Sequence, residues 1–158
     1  PTRRHTRFGF KSRGLGDVYK RQGKATEYQP GIWFNSAKFF DIEYQTYGHV
    51  WSQPKDNETQ FYWEHPKGKK CLRFVFDENH KNLLGVNSLG IRLRHKIMDQ
   101  WLREKRDIFY VLKNFNKANF DPEFYESFEE DVISEFNRKF QDTPVTKENV
   151  GLFARLFK

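Results

Sequence analysis

The chain has 158 residues, with 28 Lys and Arg against 21 Asp and Glu and a formal net charge of +7. Residues 1–24 hold eight of the basic groups and one acid, Asp17, which leaves 20 of each sign in residues 25–158. The basic excess belongs to the N-terminal segment, which argues against a nucleic-acid face spread over the rest of the chain. No apolar window approaches the roughly 18 residues of a membrane-spanning helix, and the N-terminus has no apolar signal-peptide stretch, so a cytoplasmic location is expected. The single cysteine, Cys71, excludes an internal disulfide and a CxxC redox pair within this chain.

In chain order, residues 1–24 are rich in Arg, Gly and Ser and have no hydrophobic period, so a disordered tail is expected. Residues 12–22 resemble translated adapter sequence, which makes a non-native addition the first reading and a basic arm for nucleic acid or anionic lipid the alternative. Gly14 and Gly16 form a lone GxG, with Tyr19 where a dinucleotide fingerprint needs its third glycine.

Residues 25–158 read as one domain. Residues 42–51 alternate Ile42, Tyr44 and Thr46 with Glu43, Gln45 and Tyr47, and the polar loop 52–58 ends that strand. Residues 60–65 set Phe61 and Trp63 against Tyr62 and Glu64. After the turn 66–68, residues 71–77 put Leu72, Phe74 and Phe76 on one face, and residues 83–89 give a fourth strand closed by Gly90. Short connections imply an antiparallel meander. The period then changes to that of helices. Ile97, Trp101, Ile108, Leu112 and Phe115 form one stripe, interrupted near residues 105–107. Asp121 and Pro122 read as the cap and first residue of a helix carrying Phe124, Phe128, Val132, Phe136 and Phe140, with acids early and Arg138 and Lys139 late, as the helix dipole favours. Thr146 can cap a last helix with Val150, Phe153 and Phe157. The expected class is α+β, a small antiparallel β-meander followed by C-terminal helices packed on it.

Catalytic motifs are absent. The histidines at 5, 49, 65, 80 and 95 have no metal-ligand spacing, Ser36 and Ser88 lack a GxSxG elbow, and residues 85–90 lack the Lys-Ser/Thr of a Walker loop. Asp41 and Glu43 stand two apart, as an acid–base pair would, but Gln45 shares their face and a solvated polar face is the better reading. Cys71 opens an aromatic strand and reads as a small buried apolar group, despite Lys69 and Lys70 beside it. Residues 69–76 mix bases with aromatics as an RNA-binding strand does, without its Gly-Phe/Tyr-Gly core, so Phe74 and Phe76 are expected to face the helices.

Residues 30–48 resemble the opening of the C-terminal domain of FAD-dependent NAD(P)H oxidoreductases in the pyridine nucleotide-disulfide oxidoreductase superfamily, of the ferredoxin-reductase and apoptosis-inducing-factor type. Those families show a proline, then Phe-Trp-Ser-Asp, then an aromatic or glutamine strand ending in glycine. Here Pro30, Phe34-Asn35-Ser36, Asp41, Tyr44 and Gly48 follow that order, and the strands through Leu84–Asn87 continue it. The likeness covers residues 25–100. Asn35 and Ala37 replace the family's tryptophan and aspartate, residues 101–158 run longer than usual, and neither a GxGxxG FAD domain nor an NAD(P) domain is in the sequence.

The resemblance implies a C-terminal fragment of a parent enzyme in which NAD(P)H reduces FAD and FAD reduces an acceptor, protein or small molecule. Its immediate partners would be the parent's FAD- and NAD(P)-binding domains. Trp33 and Phe34 would cover the isoalloxazine, and Asn35 and Ser36 would make polar contacts; plain packing of Trp33 and Phe34 on the sheet is the competing reading. A non-catalytic protein-interaction module is the competing class, and an RNA-binding sheet a more remote one.

Overall fold

A computed structural model of the chain describes residues 31–120 and 126–146. The chain divides into Pro1–Gly31 and Ile32–Lys158, and the fold described here belongs to the second unit. The expected tail, the Asp121 cap with Pro122 and Phe124, and the last helix with Val150, Phe153 and Phe157 lie outside the described residues.

Strands β1 (Phe34–Phe39), β2 (Ile42–Gly48), β3 (Glu58–Glu64), β4 (Cys71–Asp77) and β5 (Leu83–Leu89) form one antiparallel sheet in the order β1-β2-β5-β4-β3. Helices α1 (His95–Arg103), α2 (Ile108–Lys113), α3 (Phe115–Ala118) and α4 (Glu129–Lys139) come after it. The class is α+β, as the change of period predicts. Strands β3 to β5 are three of the four strands of the expected meander, and the first of the four, β2, lies beside β5 instead of β3. Residues 34–39, where no strand is predicted, pair with β2 from Phe34↔Tyr47 to Phe39↔Ile42. The resulting hairpin joins the meander through β2 and β5, not through the sequence-adjacent β3.

That order requires the chain to cross the sheet between β2 and β3. Strand β2 stops at Gly48, three residues before the predicted end, because Gly48 turns the backbone into the left-handed region (φ +66°), where a Cβ would strike the Leu84 carbonyl oxygen. The backbone then passes over Gly85. A Cβ on Gly85 would lie 2.5 Å from the His49 oxygen and 2.8 Å from Val50 Cγ2, so the crossing needs glycine there. Val75, paired with Gly85, is buried on this face, away from the helices.

The other face is the core. Phe61, Leu72, Phe74, Phe76 and Val86 are buried against Met98, Trp101, Leu112, Phe115, Val132 and Phe136. The Phe74 ring meets Phe115 edge-on at 5.7 Å and Phe61 meets Phe136 at 5.1 Å, the geometry that the ring quadrupole favours. The helical stripe breaks where expected. Lys105 takes a left-handed φ of 50°, and the Asp107 side chain then accepts the Tyr110 N–H at 2.8 Å to start α2. Helix α4 begins at Glu129, later than the Asp121–Pro122 signal predicts. Phe128 is instead buried ahead of the helix against Trp63 and His65, and the Glu126 carbonyl accepts from Asn119 Nδ2 at 2.8 Å.

Candidate functional site

The opening segment forms an aromatic corner at one sheet edge. Alternation along β1 places Phe34 and Ser36 on the helix side and Asn35 on the opposite side. Trp33 precedes the strand, 54% exposed, and its carbonyl accepts the Gly48 N–H at 2.8 Å. Phe34 is 37% exposed, with its ring 4.7 Å from Tyr47 and 4.5 Å from His95. Asn35 and Ser36 are exposed.

Polar residues of β2 hold this corner in place. Gln45, expected on a solvated face, is buried: its Oε1 accepts the Leu93 N–H at 2.7 Å, and its Nε2 donates to Glu43 at 3.0 Å. With both ends of the amide bonded, burial carries little penalty. Glu43 also accepts from Arg92 Nε at 2.7 Å, which makes it a structural ion-pair partner and not half of an acid–base pair with Asp41. The Tyr47 hydroxyl donates to the Leu93 carbonyl at 3.2 Å. Because Gln45 and Tyr47 both grip Leu93, the chain enters α1 with its first residue, His95, stacked 5.8 Å from the Tyr47 ring. Burial, aided by the Glu43 charge, pushes the Tyr47 phenol up to about 12, so it stays neutral and a donor at physiological pH.

Tyr47 and His95 were not legible as members of this corner. Their meeting with Phe34 depends on the hairpin register and on the Leu93 bonds, and neither leaves a local motif. The arrangement offers flat ring surface and polar groups at an edge, with no nucleophile held beside a base. No cluster of three or more His, Cys, Asp or Glu able to hold a metal occurs among the described residues.

Away from this corner, a concavity of about 480 Å³ lies between β3 and α4, lined by Tyr62, Glu64, Asp131, Ser134, Glu135 and Lys139 among others. Lys139 Nζ spans it, donating to the Tyr62 carbonyl at 2.7 Å and lying 3.3 Å from Glu135. The Tyr62 hydroxyl donates to Glu64 at 2.9 Å, and this bond, more than burial, holds its phenol above the ordinary range. Phe74 and Phe76 are buried beneath the helices, so β4 offers no platform for stacking RNA bases, and Cys71 is half-buried.

No protein-family model matches the chain, and no curated protein matches it. Among solved structures, the NAD-dependent persulfide reductase from A. fulgidus shares the fold, with a TM-score of 0.52 and 14% sequence identity over 78% of this chain. The match occupies 25% of that structure's chain, so the present chain spans about a quarter of its length. At this identity the likeness is one of fold.

Proposed function

We propose that residues 25–158 are the C-terminal, flavin-covering interface domain of an FAD-dependent NAD(P)H oxidoreductase, and that residues 1–24 are a non-native addition. One observation carries the reading. The segment that resembles the opening of this domain in flavoprotein reductases forms a sheet edge with exposed aromatic rings, in a fold shared with part of an NAD-dependent reductase.

The described residues fit a cover for a flavin and not a whole binding site. They supply ring faces and polar groups at a sheet edge, whereas the pyrophosphate needs a glycine-rich turn at a helix N-terminus, and the sequence has no GxGxxG. FAD, when bound by the parent's own dinucleotide domain, supplies the hydride chemistry. This chain's part is to exclude water and orient. Trp33 and Phe34 would cover the ring system, with Phe34 backed by Tyr47 and His95. Ser36 would supply a polar group on the face it shares with Phe34, and Asn35 one on the other face, so the flavin-bearing domain would approach along the edge of β1. NAD(P)H is the co-substrate and the acceptor a protein or small molecule.

Flavin fluorescence titration and an NAD(P)H oxidation assay test this division. The 158-residue chain is expected to bind FAD weakly or not at all and to be inactive. In a longer chain with the upstream domains restored, Trp33→Ala is expected to change the flavin spectrum or the turnover. Tight stoichiometric flavin binding by the 158-residue chain overturns the reading, and a loss of stability with an unchanged spectrum supports plain packing in an interaction module.

A further inference from the structure

We propose that the outer edge of β1 pairs with the same edge of a second copy of this chain, across a two-fold axis at Ser36. The hydrogen bonds of the sheet fix which backbone groups that edge presents. The Gly48 N–H donates to the Trp33 carbonyl and the Gly90 N–H to the Glu43 carbonyl, so Trp33 faces β2, whereas Glu43, the partner of Lys38, faces β5. By alternation Asn35, Ala37 and Phe39 bond to β2, and the N–H and C=O groups of Phe34, Ser36 and Lys38 point away from it. Strand β1 ends the sheet, and the hydrogen bonds of the described residues leave all of these outward groups without a partner. An edge of this kind is a template for one more strand.

The strand's own sequence identifies that partner. Antiparallel pairing with Ser36 opposite the second copy's Ser36, and Phe34 opposite its Lys38, bonds every outward group of both strands. A shift of two residues in either direction sets Phe34 or Lys38 against a residue outside the strand. The same register brings exposed rings together. Trp33, 54% exposed, falls opposite the second copy's Phe39, 63% exposed, at a non-hydrogen-bonded position where side chains come closest. Lys38, the one charge in β1, falls opposite the second copy's Phe34 and stands roughly 13 Å along the strand from its Lys38, so a cation meets a ring and like charges stay apart. At roughly 200 Å² a ring, the exposed parts of Trp33, Phe34 and Phe39 supply about 300 Å² on each copy, short of the about 800 Å² of a standard interface. The dimer is therefore weak and concentration-dependent. It does not rest on the flavin reading. It takes up the edge along which a flavin-bearing domain would approach, so the two occupants exclude each other and the pairing belongs to the chain free of that domain.

Analytical ultracentrifugation of the 158-residue chain over about a hundredfold range of concentration tests the pairing, with a monomer–dimer equilibrium as the expected result. Ser36→Pro removes an outward N–H and no bond to β2, so it should weaken dimerisation at least about tenfold with an unchanged melting temperature. If that variant folds poorly, cross-linking decides in its place. With the single native cysteine removed by Cys71→Ser, Ser36→Cys sets two thiols within disulfide reach at the axis, and Ala37→Cys sets them two residues out of step. Mild oxidation is expected to join the first pair at least about tenfold faster than the second. A monomer at every concentration overturns the proposal. So does a folded Ser36→Pro chain that dimerises like the unmodified one, which puts the contact elsewhere, or faster cross-linking through Ala37→Cys, which excludes this register. No flavin is present in these measurements, so their failure leaves the flavin reading to its own titration.

Discussion

Strands β3 and β1 are both sheet edges, each with one strand neighbour, but they are finished in different ways. Helix α4 lies against the inner face of β3, where Phe61 packs edge-on against Phe136 and Phe140 and Lys139 takes up the Tyr62 carbonyl. Strand β1 meets α1 where Phe34 packs on His95, and its remaining large side chains stand in solvent. An exposed edge invites pairing with another chain unless something covers it. The fold spends its own helix on one edge and leaves aromatic surface on the other.

The largest test of this contrast is Phe61→Ala. The side chain is fully buried between β4 and α4, and its removal should cost about 3–5 kcal/mol in chemical denaturation. A cost below about 1 kcal/mol would mean that α4 does not hold the β3 edge. A smaller effect belongs to Glu135 in α4. Its bond with Arg138, seconded by Lys139, lowers the carboxyl from 4.5 to about 2. Because the folded value is depressed, the stabilisation is full above the ordinary value and fades as pH falls from about 4.5 towards 2. Glu135→Gln should therefore destabilise by less than about 1 kcal/mol at neutral pH, the pair being open to solvent, and the two proteins should converge in acid. If the full gap persisted well below pH 2, the ion pair would not be its source. The smallest effect is at the open edge. Phe40→Asn, which tolerates the left-handed turn, should shift stability by no more than about 0.5 kcal/mol, in the stabilising direction. A clear loss would show the Phe40 ring to be part of the fold.

The same contrast explains what could be read from the chain. Leu72, Phe74 and Phe76, and Phe61 with Trp63, announce their face because burial selects apolar residues with period two, and the structure buries all five. Strand β1 sends no such signal. Its residues are exposed on both faces apart from the half-buried Ala37, so it is a strand by backbone pairing alone. Gln45 misleads for the opposite reason: a polar residue on a buried face looks solvated until its bond to Leu93, 48 positions away, is known. The start of α4 is hidden from the sequence because Phe128, spaced to continue the helical stripe, covers Trp63 instead. In the candidate site, the resemblance points to Trp33–Ser36 as a proposal, while Tyr47 and His95 join Phe34 through the hairpin register.

The glycine crossing also bears on how the molecule forms. The β1–β2 hairpin and the β3–β5 meander each join neighbours through short turns, and both can form at small entropic cost. The pairing of Tyr47 with Val86 cannot, since it must close the whole intervening segment before any of its hydrogen bonds is made. That single interface, sealed where His49 and Val50 pass over Gly85, concentrates the non-local ordering of the sheet. Until it closes, the hairpin stands apart from the core that the meander shares with the helices.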